Sequence, residues 1–324
     1  MLSVSRRSLI VAIAVLAASA VALPASLRAA EPLKLVATTG MIADTVSRVA
    51  GDRAEVTALM GPGVDPHTYR QTRSDIAKMT SADGVFWNGL YLEAQLEDFF
   101  ESLAKRKPVF AVGEGVPVDR RLAHDSYQDR YDPHVWMDPT LWRFVVASTR
   151  DALIELDAEG ADTYRTNADA MIADLDRLDA YSRKVLGEVP PNARVVVTAH
   201  DAFRYFGRAY GFEVLGVQGM STESEAGLKH IEDMVAVLVD RKIGAIFVES
   251  SVSDRNVKAL IEGAAAQGWT VKIGGQLYSD AMGPPGTYEG TYLGMIDHNV
   301  TTIAGALGAE VPRGGLDGRL ATTN

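Results

Sequence analysis

The stretch ADTYRTNADAMIADLDRLDAYSRKVL, residues 161–186, decides how the rest of the chain is read. It holds no Gly or Pro, and Tyr164, Ala168, Met171, Leu175, Leu178, Tyr181 and Val185 recur in steps of three and four, the spacing of one helix face. That predicts a single helix of about seven turns. Gly160 in front of it and Gly187, Pro190 and Pro191 behind it are residues at which helices begin and end. On both sides, short β-branched runs alternate with amphipathic stretches, the pattern of strands that cross over through helices into a parallel sheet. Strands are predicted at 33–38, 55–59, 84–87 and 109–112 before the long helix, and at 195–198, 214–217, 245–249 and 271–273 after it. Ile231, Met234, Val235 and Leu238 mark one connecting helix, with Arg241 and Lys242 suited to its C-terminus. The expected fold is therefore α/β, two lobes each with a four-stranded parallel-type sheet flanked by helices, joined by one long rigid helix. The boundaries fall at 31–157, 158–189 and 190–324, after a leader at 1–30. A helical linker is stiff, so large closure is not expected, and a ligand belongs in the cleft between the strand ends.

The leader is an export signal: Arg6 and Arg7, the apolar run 9–23, then Pro24 and small residues to Ala30. The run is too short for a membrane span, which needs about 18–20 apolar residues, and no later segment supplies one. Ser5-Arg6-Arg7-Ser8-Leu9-Ile10 suits a twin-arginine signal and equally a general secretory n-region. A soluble periplasmic protein is expected. The chain has 32 Lys and Arg against 42 Asp and Glu, and removing Arg6, Arg7 and Arg28 takes the net charge from −10 to −13. Such an acidic surface disfavours nucleic acid and anionic lipid and permits a cation ligand. There is no Cys, which excludes a thiolate metal site, a thiol nucleophile and a lipidated N-terminal Cys. Any metal site must be built from His, Asp and Glu.

Four segments put such residues in polar loops. They are Asp65-Pro66-His67-Thr68-Tyr69, Asp132-Pro133-His134-Val135-Trp136-Met137-Asp138-Pro139, Thr198-Ala199-His200-Asp201-Ala202-Phe203, and Tyr278-Ser279-Asp280-Ala281-Met282-Gly283-Pro284. His67 follows the second predicted strand, His134 the fourth, His200 the fifth and Asp280 the last. Loops at strand ends can converge, and three imidazoles with one carboxylate are donors that zinc and related ions accept. Taken singly, each His reads as readily as a surface or capping residue. The repeated Asp-Pro-His says more, because Pro fixes the backbone before the imidazole and Asp can hold nearby N–H groups. Asp138, Asp201, Glu223, Glu225 and Glu249 could orient the imidazoles or simply cap helices. His230 and His298 sit beside charged residues on predicted helices and read as solvated faces. The same His/Asp set could serve a zinc-dependent hydrolase, but no His-Glu-x-x-His, Gly-x-Ser-x-Gly or phosphate-binding Gly loop is present. A receptor for a metal chelate is a third reading, and would need a wide aromatic or Arg-lined cleft.

The two Asp-Pro-His segments, Val197-Thr198-Ala199-His200-Asp201-Ala202-Phe203-Arg204-Tyr205-Phe206, Ala245-Ile246-Phe247-Val248-Glu249-Ser250-Ser251 and Gly274-Gly275-Gln276-Leu277-Tyr278-Ser279-Asp280-Ala281-Met282-Gly283 together resemble the cluster 9, or cluster A-I, metal receptors of ABC importers. The resemblance runs from about residue 33 to 307, with the motifs in order. It implies two α/β lobes joined by a helix and one Zn²⁺ or Mn²⁺ carried between them as cargo. His67, His134, His200 and Asp280 would be its ligands. It also implies a monomeric receptor, not an enzyme, served by a separate permease and ATPase. Two departures from the family pattern matter. Zinc members often carry a His-rich loop before the second ligand, where residues 119–131 here hold only His124. Manganese and iron members commonly carry Glu where this chain has His200, and imidazole shifts the donor set towards Zn²⁺.

Overall fold

The first-half runs of β-branched residues form a single parallel sheet. The computed structural model describes residues 31–124 and 127–321; the expected leader lies outside them. β1 (Leu33–Ala37), β2 (Ala54–Ala58), β3 (Gly84–Trp87) and β4 (Val109–Ala111) pair in the order β2-β1-β3-β4, with Leu35 opposite Val56 on one side and Gly84 on the other. Leu35, Val36 and Ala37 are all buried, as expected of a strand covered on both faces. α1 (Gly40–Ala50) starts at Thr39, whose side chain accepts from the Ile42 N–H, and buries Met41, Ile42, Val46 and Val49. α2 (Arg73–Ser81) starts at a reciprocal Thr72/Asp75 capping box, and α3 (Glu97–Ala104) leads towards β4.

In the second half the four predicted strands pair two and two. β5 (Val195–His200) runs parallel to β6 (Glu213–Gln218), and β7 (Ala245–Glu249) to β8 (Lys272–Leu277). This differs from one continuous four-stranded ladder. β5 and β7 are joined at the His200 end by the Glu249 side chain, described below, in place of backbone pairing there. β8 also runs further than the predicted 271–273, through Gly274 and Gly275, a residue type that weakens strands. Their role is close approach. A Cβ on Gly275 would lie 2.4 Å from a Thr302 methyl, and one on Gly274 would lie 2.7 Å from the Phe247 ring. α6 (Arg204–Tyr210), α7 (Leu228–Asp240), α8 (Arg255–Ala266) and α9 (Tyr292–Ala306) complete the half. α7 buries Met234, Val235 and Leu238 of the face read from its spacing.

α4 (Pro139–Leu156) and α5 (Ala161–Gly187) separate the two sets of strands. All seven apolar positions that predicted the long helix are buried in α5. They belong to one core that also takes in Leu35 and Val46 from the first half and Val196, Phe247 and Ile303 from the second. α9 adds a brace that periodicity does not reveal. Tyr292 stacks on Trp142 of α4 with ring centroids 5.0 Å apart and planes 4° from parallel. Its hydroxyl donates to the Trp136 carbonyl (2.8 Å), and its backbone N–H donates to Asp44 Oδ2 (3.0 Å).

Candidate metal centre

Each candidate ligand stands where a regular element ends. His67 lies in the loop after β2, His134 opens a short 3-10 turn ahead of α4, His200 is the last residue of β5, and Asp280 follows β8. The Asp-Pro-His repeat works the same way twice. Asp65 Oδ1 accepts the His67 backbone N–H (2.9 Å), and Asp132 Oδ1 accepts that of His134 (3.0 Å), so each aspartate turns its own loop. Asp138 caps α4 by accepting from Thr140 N–H (2.8 Å). On the far side, Asn299 of α9 brackets Tyr278, two residues before Asp280. Its Oδ1 accepts from Tyr278 N (2.9 Å), and its Nδ2 donates to Tyr278 O (2.7 Å). Trp136 Nε1 donates to Ser279 O (2.7 Å), tying the His134 turn directly to the Asp280 loop.

These supports bring all four side chains together. One donor atom from each of His67, His134, His200 and Asp280 lies within 4.8 Å of the others. The Nε2 atoms of His67 and His134 are 3.2 Å apart, and Asp280 oxygens lie 3.1 Å from His200 Nε2, 3.5 Å from His134 Nε2 and 3.8 Å from His67 Nε2. Bonds of 2.0–2.1 Å at tetrahedral angles separate neighbouring donors by about 3.4 Å, so the spacing suits a zinc-sized ion. His67 is 3% exposed, Asp280 2%, and His134 and His200 0%. His200 Nε2 and both Asp280 oxygens are buried and face only the other members of the cluster, an arrangement that a shared cation would satisfy.

Around the four donors, carboxylates hold two of the rings from behind. His134 Nδ1 donates to Asp132 Oδ1 (2.8 Å), and His200 Nδ1 donates to Glu249 Oε2 (2.5 Å), while Glu249 Oε1 takes the His200 backbone N–H (2.9 Å). A carboxylate accepts only, so each ring carries a proton on Nδ1, and Nε2 is left as the inward atom that a metal would take, displacing any proton there. Burial pushes the His67 pKa down to about 3. Burial also disfavours the charged form of His200, but Asp280 and Glu249 outweigh it and raise its pKa well above the usual value. For Asp280, burial is outweighed by His200, His134 and His67, and its pKa falls below the ordinary range. Three buried carboxylates, Asp132, Glu249 and Asp280, thus surround the imidazoles, with Arg204 3.8 Å from Asp132.

Of the acidic residues named as possible orienters, Glu249 does touch a candidate ligand. Asp138 serves as a helix cap, Glu225 accepts from Asn256 Nδ2 (3.2 Å), Glu223 pairs with Gln95, and Asp201 lies 3.9 Å from Arg204. His230 is exposed, His298 Nε2 lies 2.8 Å from the Gln276 carbonyl, and His124 packs against Tyr127. None of these three histidines joins the cluster among the described residues. Asp132 is read in sequence as a holder of backbone N–H groups but not as the partner of the His134 ring, and Asn299 is not singled out at all. The first has the Asp-Pro-His repeat as its signal, whereas Asn299 has none, because its partner is 21 residues away.

Residues 35–306 match a family profile described as the periplasmic zinc-uptake complex component A, ZnuA. The chain is 45% identical to the manganese-binding lipoprotein MntA of Bacillus subtilis over 277 residues, 86% of this chain and 90% of that protein. It is also 45% identical to the zinc-binding protein TroA of Treponema pallidum over 280 residues, covering 86% and 90%. A solved structure of periplasmic zinc-binding TroA from Treponema pallidum superposes with a TM-score of 0.83 at 44% identity, covering 85% of this chain and 99% of that one.

Proposed function

We infer the function of this chain from its kinship: it belongs to the ZnuA family of periplasmic metal-uptake components, and it is a substrate-binding receptor of an ABC importer for a divalent transition metal, Zn²⁺ or Mn²⁺. His67, His134, His200 and Asp280 are the ligands of one ion per chain. The observation that carries this assignment is the convergence of four buried donors within 4.8 Å of one another, with His200 Nε2 and the Asp280 oxygens facing only the cluster. The ion is cargo. Two relatives of equal identity are named for different metals, so overall similarity does not choose between them. The three-imidazole set favours Zn²⁺ in intrinsic affinity, and supply sets the cellular cargo.

The receptor works with a separate permease and ATPase, and among the described residues no helix is long and apolar enough to cross a membrane. Residues 31–157 and 190–324 act as two lobes on the 158–189 backbone helix, each giving two ligands, and the chain acts as a monomer. MntA of Bacillus subtilis is named a lipoprotein, which runs against an unlipidated receptor; in favour of one, the 324 residues contain no Cys to carry a lipid. We place this chain, exported by its leader, free in the periplasm.

A hydrolase would need a coordination position open to substrate, which four ligands at most 3% exposed do not favour. Titration with free Zn²⁺ tests the reading: one ion should bind, and His67→Ala or Asp280→Ala should abolish tight binding while His230→Ala and His298→Ala leave it intact. Loss of binding in His230→Ala equal to that in His67→Ala would overturn the ligand assignment. Metal-dependent turnover of ester, phosphoester or peptide substrates would overturn the receptor.

A further inference from the structure

An ion held by donors this deeply buried cannot exchange unless part of its shell moves. The shell is unequally anchored. His134 and His200 are each gripped at both backbone N–H and ring by a buried carboxylate. Asp65 reaches the backbone N–H of His67 but not its ring. The second oxygen of Asp65 accepts from Thr68 Oγ1 (3.1 Å) and, across the cleft, from Thr222 Oγ1 (2.5 Å). Thr222 lies in the segment between β6 and α7. The next residue, Glu223, accepts from Gln95 Nε2 of the first half. Two adjacent residues thus bond the first half at two places, Thr222 at the His67 loop and Glu223 at the turn ahead of α3, from positions that are half-buried or exposed. Other bonds between the halves lie elsewhere: Trp136 to Ser279 and Tyr292 to Trp136 are buried in the core, Tyr292 N–H reaches Asp44, and Arg204 and Tyr205 meet Ala123, Leu122 and Asp132 on the His134 side.

We propose that Thr222 and Glu223 form a latch that governs metal exchange: Thr222 holds the His67 loop through Asp65, Glu223 fixes the latch segment to the first half through Gln95, and their release lets His67 leave the ion first. This rests on the receptor reading. The latch bonds involve no ligand atom, so breaking them opens the route in both directions. A latch therefore changes the rates of entry and exit together, with little change in their ratio.

Thr222→Val keeps the side-chain shape and removes the hydroxyl. Zn²⁺ dissociation into excess EDTA, followed by the fluorescence of the tryptophans, Trp136 among them, should be about tenfold faster in the variant, equivalent to about 1.4 kcal/mol. The association rate should rise in parallel, leaving the dissociation constant within about threefold of wild type. Thr222→Ser should restore the slow exchange, and Gln95→Ala should accelerate it independently. A dissociation rate within twofold of wild type in both Thr222→Val and Gln95→Ala overturns the latch. So does a tenfold loss of affinity with unchanged association, which would make Thr222 part of the binding geometry. Failure of the wild-type protein to bind Zn²⁺ would refute the receptor reading instead.

Discussion

Replacing Glu249 by Gln tests whether the His200 ring is oriented by charge or by packing alone. Glu249 gives one oxygen to the His200 ring (2.5 Å) and the other to its backbone N–H (2.9 Å), with both side chains fully buried. Gln has one oxygen and one NH₂ to offer. With its oxygen on the ring, the NH₂ faces the backbone donor. With its oxygen on the backbone, the NH₂ faces Nδ1 and favours the tautomer that puts a proton on Nε2, the atom turned towards Asp280 at 3.1 Å. Either orientation loses one charge-assisted bond, worth about 1.5–3 kcal/mol. That agrees with the roughly 10–100-fold loss seen when partners behind metal ligands are removed, which is about 1.4–2.8 kcal/mol. Competition titration against a chromophoric chelator, at fixed pH and ionic strength, should therefore show Zn²⁺ affinity reduced about 10–100-fold in Glu249→Gln. Affinity within threefold of wild type, in a variant with an unchanged melting temperature, would show that packing orients the ring and would refute the argument.

The pKa shifts make proton competition uneven: His67, pushed down to about 3, does not compete for protons near neutrality, whereas His200 keeps its proton to well above the usual histidine range. A raised His200 pKa means that metal must displace a proton below it, so affinity should climb with pH through neutrality by up to about tenfold per unit from this group; calorimetry in buffers of different ionisation enthalpy should find a proton released at pH 7, and no release would contradict the assignment. His200→Glu adds a carboxylate beside Asp280 and Glu249, so it should narrow the Zn²⁺ over Mn²⁺ preference and make the metal-free protein melt lower; competition titrations with both ions check the first and a melting curve the second, and an unchanged ratio would remove His200 from the ligand set. Trp142→Ala removes a fully buried ring that stacks on Tyr292 and donates to Thr45 Oγ1 (3.0 Å), and urea unfolding should register a loss of about 3–5 kcal/mol; a loss under about 1 kcal/mol would mean that α9 does not brace the fold through this contact.

The face of α5 could be read residue by residue because a helix repeats its environment every three or four positions, and all seven apolar positions are buried as that period requires. The Asp-Pro-His loops were legible for the same reason, since the bond from Asp to the His backbone spans two residues. Chemistry was legible too: without Cys, a metal site had only imidazole and carboxylate to draw on. Other features depend on which distant segments meet. Glu249 stands 49 residues from the imidazole it orients, Thr222 stands 157 from Asp65, and Tyr292 stands 156 from the Trp136 carbonyl it binds. Gly274 and Gly275 stand inside a strand where Phe247 and Thr302, from other elements, leave no room for a Cβ. Periodicity and turn chemistry are properties of a few consecutive residues, so the sequence alone determined the long helix, the strand alternation and the donor types. The distances between donors, the carboxylates behind them and the latch above them arise only from packing distant segments together, and the tertiary structure decided those.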